Sequence, residues 1–413
     1  MIYVTNLKKK LSVLSKMYYN YPDRNLRVIG ITGTNGKTTI TYLIAQWMYL
    51  INEKTAIIST IGNGIYNHKI LTSKNTTDSA IDIQKFLHYF LKKKVKNVVM
   101  EVSSHGLIQH RVLSLNFLAA VFSNLTHEHL DYHKNIKNYE AAKWLLFSRH
   151  TVQHKIINAD DEIGRKWLKK IPEAVSVYIN KQLNPILNKR FLTVLSIKIK
   201  KNSTDINFNS SWGPGTIKSK LFGTFNITNI VLALTTLLVI GFPLKKLLIY
   251  TKQLKLPLGR MQKFQLLNKP TVIVDYAHNP KALEKVLKNL KDICKGKIWC
   301  VFGCGGERDK EKRAIMGIIA EKFSDKIIIT DDNPRREKSI DIVNDIISEI
   351  KIFKKISIIF DRKNAIKYAI FSAKKEDIIL IAGKGHENYQ IINNKYVDYS
   401  DLIIVQNILG IKQ

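Results

Sequence analysis

A glycine-rich loop carrying a lysine and two threonines follows the first long apolar run of the chain, in VIGITGTNGKTTITYLIAQ (residues 28–46). Gly33 and Gly36 permit the backbone conformations that turn amide N–H groups toward phosphate oxygens. Lys37 would neutralise phosphate charge and Thr38 would hold Mg²⁺, while the start of a following helix adds its dipole. The spacing G-x-x-G-K-T is a variant of the general phosphate-binding pattern, whose first glycine is absent. The sequence therefore predicts a site for a nucleotide phosphate.

Six further polar or glycine-rich segments stand where predicted strands end. They are EVSSHG, NLTHEHLD, DYAHNP, GCGGERD, DDNPR and GKGHE. In doubly wound sheets, ligands bind beyond the carboxyl ends of the parallel strands. We therefore expect these segments and the phosphate loop to face one cleft between two domains.

Apolar runs alternate with helix-like segments in two series, which predicts an α/β fold. The first series starts at Leu26 and predicts a central, mostly parallel sheet of the P-loop type. Residues 171–225 contain short polar runs of alternating pattern, which predict an antiparallel insertion. After LPLGRMQKF (256–264), five apolar runs predict a Rossmann-like, doubly wound C-terminal domain. We place the domain boundaries at 1–24, 25–257 and 258–413.

The chain is strongly basic, with a formal net charge of +33. Only 12 of its 66 basic residues are arginine, and the lysines are spread along the whole sequence. Nucleic-acid binders usually concentrate their charge on one face and place aromatic residues among the basic ones. We therefore expect no specific nucleic-acid partner, although weak attraction to polyanions follows from the charge itself.

Cysteine usage and hydropathy predict a cytoplasmic protein. The three cysteines form no CxxC pair, which argues against a disulfide framework and against a zinc site. The longest apolar stretch, residues 227–242, is too short and too polar to span a membrane, and the N-terminus lacks the apolar core of a signal peptide. We expect no membrane insertion and a monomer.

Seven motifs occur in the order typical of the Mur ligases, and the chain resembles that family from about residue 2 onward. They are GTNGKTT, EVSSHGLIQHRV, NLTHEHLDYH, NYEAAKWLLF, LGRMQ, VDYAHNP and DDNPR. The resemblance is strongest to the branch that adds meso-2,6-diaminopimelate to UDP-N-acetylmuramoyl-L-alanyl-D-glutamate in peptidoglycan precursor synthesis. It implies ATP-driven amide formation through an acyl phosphate, with ADP as a product and Mg²⁺ as the metal.

The resemblance also implies the residues that would bind the two nucleotide substrates. Those on the ATP side are Gly33, Thr34, Asn35, Gly36, Lys37, Thr38, Thr39, Asn226, Arg260, Asp275 and His278. Those on the UDP-substrate side are Thr76, Thr77, Ser103, Gln109 and Arg111.

Four residues are metal-ligand candidates, namely Thr38, Glu101, His129 and Lys143. Glu101 ends a predicted strand, where a carboxylate can share Mg²⁺ with Thr38. The residues alone leave His129 open as an ordinary core or surface histidine, and they favour a solvated surface position for Lys143. The resemblance instead implies a second metal ligand at His129 and a carbamylated Lys143, whose adduct is a carboxylate. It makes Lys37, Lys143 and His129 the catalytic residues.

The DDNPR motif implies the choice of amino acid. Diaminopimelate has one more carboxylate than lysine, and Arg335 can bind that carboxylate with two parallel hydrogen bonds. An arginine left without its carboxylate would reject lysine. The set that the resemblance assigns to diaminopimelate is Arg308, Asp332, Asn333, Pro334, Arg335, Gly383 and Glu387.

The resemblance is incomplete at the N-terminus, where residues 1–24 match only the last strand and helix of the family's uridine-binding domain. We interpret them as a remnant of that domain. Two alternatives to the ligase follow: an enzyme similar to folylpolyglutamate synthetase, which shares the loop and the reaction type, and a degenerate, non-catalytic protein that binds ATP or polyanions.

Overall fold

The computed structural model describes residues 5–73, 75–126, 128–180, 188–200, 203–221 and 223–411. The helices, in chain order, are α1 Leu7–Tyr18, α2 Lys37–Leu50, α3 Ala80–Lys92, α4 Ser104–Ile108, α5 Leu130–His133, α6 Ile136–Ser148, α7 Glu162–Lys170, α8 Thr224–Val239, α9 Leu244–Ile249, α10 Pro280–Lys291, α11 Glu311–Phe323, α12 Ser339–Ile347, α13 Arg362–Ser372 and α14 Asp401–Leu409.

The strands are β1 Arg27–Thr32, β2 Thr55–Ser59, β3 Gly62–Ile65, β4 Asn97–Glu101, β5 Phe117–Phe122, β6 Val152–Asn158, β7 Val175–Tyr178, β8 Phe191–Ile199, β9 Thr204–Ser210, β10 Gly215–Ser219, β11 Gln262–Phe264, β12 Thr271–Asp275, β13 Ile298–Phe302, β14 Lys326–Ile329, β15 Ile356–Ile358, β16 Ile378–Ala382, β17 Tyr389–Ile392 and β18 Lys395–Asp398. Short 3-10 turns lie at Pro22–Asn25, Thr251–Gln253 and Phe353–Lys355.

The chain divides into two compact units. Unit 1 runs to Thr126 and resumes over His133–Lys255, while unit 2 runs from Leu256 onward and includes the segment 128–132. The lead helix α1 belongs to unit 1, where Ser12 Oγ lies 2.7 Å from Ser114 Oγ and Lys16 Nζ donates to Asp23 Oδ2 at 2.7 Å.

Unit 1 is organised around a sheet with the order β10-β9-β8-β7-β6-β5-β1-β4-β2-β3. The seven strands from β8 to β2 in that order pair in parallel, whereas β9, β10 and β3 pair antiparallel. The predicted mostly parallel sheet is therefore confirmed. The antiparallel strands expected within residues 171–225 extend the edge of this same sheet, and β7 differs from the expectation because it pairs in parallel on both sides.

Strand β1 lies between β4 and β5, so the chain leaves it toward one side of the sheet and returns to the other. Such a switch in strand order opens a crevice at the carboxyl ends of the strands. The phosphate loop, Glu101 and the residues after β5 all lie at this end.

Unit 2 contains a second sheet with the order β11-β12-β16-β13-β14-β15, in which only β11 pairs antiparallel. The five predicted strands of the C-terminal domain are all present, and the doubly wound fold is confirmed. The hairpin β17–β18 was not predicted, since each of its strands has only four residues and β18 is exposed throughout.

Both sheets are covered on two faces, which explains why their central strands are continuously apolar. Strands β2, β4, β13 and β16 are buried at every position. The three cysteines are free thiols. Among the described residues, no helix has the length and apolar character that a membrane crossing requires.

Candidate functional site

The phosphate loop connects β1 to α2 and depends on two glycines with positive φ, 144° at Gly33 and 89° at Gly36. A Cβ at Gly33 would lie 1.9 Å from Ser123 Oγ, so the approach of the loop to the end of β5 excludes any side chain there. The amide of Asn35 donates to Asn124 Oδ1 at 3.0 Å, and Asn124 Nδ2 donates back to the Asn35 carbonyl at 3.0 Å. The loop is therefore fixed against the residues that follow β5.

Two lysines converge on the carbonyl oxygen of Gly33. Lys37 Nζ donates to it at 2.8 Å and to the Thr34 carbonyl at 2.8 Å, and Lys143 Nζ donates to the Gly33 carbonyl at 2.9 Å. Lys143 is 1% exposed and lies 4.4 Å from the ring centroid of Tyr139. The expectation of a solvated surface position, which the residues alone favoured for Lys143, is wrong: α6 directs this side chain to the phosphate loop.

Glu101 ends β4 with its carboxylate buried beside the loop, at 1% exposure. Thr38 Oγ1 donates to Glu101 Oε1 at 2.8 Å, and the Thr60 amide donates to the same oxygen at 2.9 Å. The predicted pairing of Thr38 with Glu101 is thus present. Carboxylate and hydroxyl oxygens at a phosphate loop are the ligands that Mg²⁺ takes, together with water and phosphate oxygens.

His129 is exposed, with a positive φ of 57°, and it lies in the segment 128–132 that groups with unit 2. Thr38, Glu101 and Lys143 belong to unit 1. Within the part of the chain that the structure describes, no three His, Cys, Asp or Glu side chains cluster in a way that could hold a metal.

Helix α8 contributes Asn226 to the surroundings of the loop. Asn226 is 2% exposed, and its Oδ1 accepts a hydrogen bond from Asn229 Nδ2 at 3.1 Å. A Cβ at Gly36 would lie 2.5 Å from Asn229 Oδ1. Asn226 therefore lies one side chain away from the loop. Thr39, in the first turn of α2, is buried at 5% exposure.

The residues expected to contact the UDP substrate are gathered next to Glu101. Thr77 Oγ1 donates to the Glu101 carbonyl at 2.9 Å and accepts from the Ser103 amide at 2.9 Å. Arg111 donates through Nη1 to the Thr77 carbonyl and through Nε to Gln109 Oε1 at 3.0 Å. Thr77 is fully buried. Its two hydroxyl hydrogen bonds connect the loop before α3 to the backbone at the end of β4.

Thr76, the neighbour of Thr77, accepts from Thr60 Oγ1 at 3.3 Å, and Thr60 Oγ1 also lies 3.3 Å from Glu101 Oε2. Thr60 was not among the predicted site residues. Its position directly after β2, one strand from Glu101 in the sheet, is the signal that could have found it.

In unit 2, Arg260, Asp275 and His278 surround the end of β12. Asp275 Oδ2 accepts from the Met261 amide at 2.7 Å, and burial raises the pKa of Asp275. The guanidinium of Arg260 lies 4.3 Å from the ring centroid of Tyr276. His278 Nδ1 lies 2.8 Å from the Tyr276 carbonyl oxygen.

The segment 128–132 reaches this group through Glu128. Its Oε1 lies 2.9 Å from His278 Nε2 and accepts from Asn279 Nδ2 at 3.1 Å. Both ring nitrogens of His278 thus face oxygen atoms.

Asp332, Asn333 and Glu387, three of the residues expected to bind diaminopimelate, meet around the ammonium of Lys384. Lys384 Nζ donates to Asp332 Oδ1 at 3.2 Å, to Asn333 Oδ1 at 3.0 Å and to Glu387 Oε2 at 3.1 Å. Burial alone would raise the pKa of Asp332, but the Lys384 and Arg362 cations outweigh it and the pKa lies below its usual value. The acid is therefore ionised at neutral pH.

Arg335 and Arg308 lie near each other around Gly305. A Cβ at Gly305 would lie 3.0 Å from Arg335 Nη1 and 3.4 Å from Arg308 Cγ. Burial and the neighbouring Arg308 cation lower the pKa of Arg335. A carboxylate placed between the two guanidiniums would relieve this repulsion, so the pair is suited to an anionic ligand.

The backbone of Arg335 is left-handed, with φ at 56°, a conformation that bulky residues rarely adopt. The hairpin β17–β18 holds it: the Arg335 amide donates to the Ile391 carbonyl at 2.9 Å, and the Asn393 amide donates to the Arg335 carbonyl at 2.7 Å. Pro334 is buried between these residues and Asn333. Gly383 has φ of 117°, and a Cβ there would lie 3.3 Å from Asp332 Oδ2.

Sequence reasoning missed the buried charges that support this cluster. They are Lys384, the pair of Arg313 with Glu337, and the pair of Arg362 with Asp401. Arg313 also donates to the Gly305 carbonyl at 3.0 Å, and Arg362 also donates to the Ala382 carbonyl at 2.8 Å. Lys384 lies within the GKGHE segment, so its place after a buried strand was a usable signal.

Comparison with known proteins follows the same division of the chain. Residues 31–237 match the family model described as Mur ligase middle domain, and residues 259–385 match the model described as Mur ligase, glutamate ligase domain. A curated relative from Buchnera aphidicola subsp. Acyrthosiphon pisum (strain APS), named UDP-N-acetylmuramoyl-L-alanyl-D-glutamate--2,6-diaminopimelate ligase, is 51% identical over 413 residues. The match covers 99% of this chain and 83% of the relative.

Solved structures give the same result at the level of the fold. A structure of a UDP-N-acetylmuramoyl-L-alanyl-D-glutamate--2,6-diaminopimelate ligase is 33% identical, with a TM-score of 0.66, and the match covers 99% of this chain and 84% of that one. The folylpolyglutamate synthase of Mycobacterium tuberculosis, complexed with ADP and AMPPCP, has a TM-score of 0.74 at 16% identity over 90% of this chain and 91% of that one, a likeness that shows the fold alone. The chain belongs to the Mur ligase family.

Proposed function

We propose that this protein is an ATP-dependent, ADP-forming ligase that adds meso-2,6-diaminopimelate to UDP-N-acetylmuramoyl-L-alanyl-D-glutamate. The observation that carries the proposal is the match to a ligase of that name at 51% identity over 99% of the chain. The two guanidiniums of Arg308 and Arg335 support the choice of amino acid, because the substrate carries a second carboxylate that lysine lacks.

The difficult step joins two anions, since the glutamate carboxylate must approach the terminal phosphate of ATP. Lys37 and the N-terminus of α2 would offset the phosphate charge, and the glycines of the loop leave the backbone free to donate to phosphate oxygens. Positioning and electrostatic stabilisation supply most of the rate in phosphoryl transfer. The amine of diaminopimelate then displaces phosphate from the acyl phosphate, forming the amide.

Thr38 and Glu101 would hold Mg²⁺ at the loop, with His129 and a carbamylated Lys143 as ligands of a second metal position. When bound, Mg²⁺ supplies charge neutralisation at the phosphates. The support for Lys143 is its burial beside the Gly33 carbonyl of the phosphate loop, where a carbamate would lie near bound phosphates. If this role is correct, Lys143→Ala loses turnover and added acetate or formate partly restores it, while full activity without any additive would exclude the carbamate.

The proposed function is tested by phosphate release from ATP with each acceptor in turn. We expect release only when UDP-N-acetylmuramoyl-L-alanyl-D-glutamate and meso-diaminopimelate are both present. Equal release with L-lysine would refute the specificity, and release with folate and glutamate would favour a folylpolyglutamate synthetase. ATP binding without amide formation would favour the degenerate alternative.

We also propose that the protein acts in the cytoplasm, as a monomer, on freely diffusing nucleotide-linked substrates. Light scattering after size-exclusion chromatography tests the monomer: the chain mass is 47.5 kDa, and a species of twice that mass would contradict it.

A further inference from the structure

Lys384 follows β16 and is completely buried, at 0% exposure. Its ammonium has three N–H donors and no acceptor. The oxygens of Asp332, Asn333 and Glu387 use all three donors, at 3.0–3.2 Å. Lys384 therefore supports these three residues as a group. Its removal would leave the two acids without their shared counter-charge.

Lys384 bonds to only one oxygen of each acid. Lys384 uses Asp332 Oδ1 and Glu387 Oε2. Glu387 Oε1 lies 3.4 Å from Tyr276 Oη, and Asp332 Oδ2 lies toward Gly383, whose missing side chain leaves space beside it. Two acids placed around one internal cation offer further oxygen acceptors, which suits a second ammonium.

We propose that Lys384 is a positioning residue for the non-reacting ammonium of the amino-acid substrate: it fixes Asp332, Asn333 and Glu387 in one arrangement. The inference rests on the proposed function and extends it. Arg335 and Arg308 select the distal carboxylate of diaminopimelate, and the Lys384 cluster selects the distal ammonium. The amine that attacks the acyl phosphate is the other one.

Without the Lys384 cation, the pKa of the buried Asp332 would rise, because that charge would no longer offset the effect of burial. A protonated Asp332 would bind an ammonium weakly. Raising the pH would remove that proton and restore part of the site. A purely structural lysine would not produce such a pH dependence.

The test compares Lys384→Met with Lys355→Met. Lys355 lies in the same unit and donates to the carbonyls of Glu321 at 2.8 Å and Ser324 at 3.1 Å, so its loss also removes an ammonium with structural hydrogen bonds. Each variant is assayed with meso-diaminopimelate and with 2-aminopimelate, which has both carboxylates and only the reacting amine.

We expect Lys384→Met to reduce the preference for meso-diaminopimelate over 2-aminopimelate by about tenfold or more, the effect of one charge-assisted interaction. The acid limb of kcat/KM for meso-diaminopimelate should move to higher pH, while KM for ATP stays within about twofold. Lys355→Met should keep the wild-type preference. An unchanged preference in Lys384→Met, or an equal fall with both acceptors and no movement of the pH limb, overturns the proposal.

A measurement on the wild-type protein covers the case in which Lys384→Met does not fold. Amine labelling followed by mass spectrometry should leave Lys384 unmodified with and without meso-diaminopimelate, while exposed lysines react. Labelling that appears when the ligand is added would show that the substrate ammonium displaces Lys384, which contradicts a retained internal cation. A wild-type protein without ligase activity in the same assay would instead overturn the proposed function, and this inference with it.

Discussion

The phosphate loop of unit 1 and the Lys384 cluster of unit 2 are built from different groups. At the loop, Lys37 and Lys143 bond to backbone carbonyls, and the shape depends on glycines that no side chain could replace. Around Lys384 the contacts join charged side chains to one another. Phosphates can be held by the backbone N–H groups of a loop, whereas an amino acid must be distinguished by its charges.

The largest effect should come from a single methyl group in the loop. We expect Gly33→Ala to lose ligase activity below detection, because its Cβ would lie 1.9 Å from Ser123 Oγ and its φ of 144° is strained for alanine. Gly241→Ala is the matched control: φ there is 100°, and nothing lies within 4 Å of the added Cβ. Activity and thermal unfolding of the two variants separate contact from backbone strain.

Gly241→Ala should lose about 1 kcal/mol of unfolding free energy and keep its activity. If Gly33→Ala also kept its activity, the close approach of Ser123 to Gly33 would not be required for the shape of the loop. The statement that the phosphate loop depends on its glycines would then be wrong.

A charge in unit 2 should have a smaller and more selective effect. We expect Arg335→Met to lower kcat/KM for meso-diaminopimelate by roughly 10- to 100-fold, the cost of a lost bidentate carboxylate interaction. Discrimination against L-lysine should fall as well. Arg336→Met removes the adjacent, exposed guanidinium and should leave both quantities unchanged. An identical response of the two variants would show that general charge, rather than Arg335 itself, attracts the acceptor.

The smallest effect concerns Glu337, which accepts hydrogen bonds from the buried Arg313. Hydrogen bonds from Arg313 lower the pKa of Glu337 to about 2, against an ordinary value of 4.5. Glu337 therefore stabilises the fold above about pH 4.5, and this contribution is lost as the pH falls toward 2. We expect Glu337→Gln to be destabilising at pH 7 and less so at pH 3, with a difference on the order of 1 kcal/mol after solvent screening.

Urea unfolding of Glu337→Gln at both pH values measures this difference. Glu349→Gln, at an exposed position of the same unit, controls for the loss of one negative charge. A destabilisation by Glu337→Gln that is the same at pH 7 and pH 3 would contradict a Glu337 that is ionised through its contact with Arg313.

The two regions also differ in how well the sequence predicts them. The phosphate loop is a continuous motif, and its partner Glu101 is the last residue of a buried strand, so periodicity and strand ends suffice to place both. The burial of Lys143 could not be read from α6, because a lysine within a helix usually faces solvent. Only the resemblance to the family placed it at the loop.

The Lys384 cluster is supported by ion pairs between residues that are far apart in the chain. Arg362 pairs with Asp401, 39 positions away, and Arg313 pairs with Glu337, 24 positions away. No local pattern identifies which of the many charged residues will be buried together. The conformation of Arg335 likewise depends on the hairpin β17–β18, whose four-residue strands are too short to be predicted from their sequence pattern.

That hairpin has a consequence for how acceptor choice can change. Main-chain hydrogen bonds from the hairpin hold the backbone of Arg335 on both sides. A residue added to or deleted from the turn at Asn393 and Asn394 would therefore change the direction of the Arg335 guanidinium without substituting any side chain that is proposed to bind the ligand. New acceptor preferences are therefore accessible through this exposed turn, and attempts to redesign this enzyme can start there.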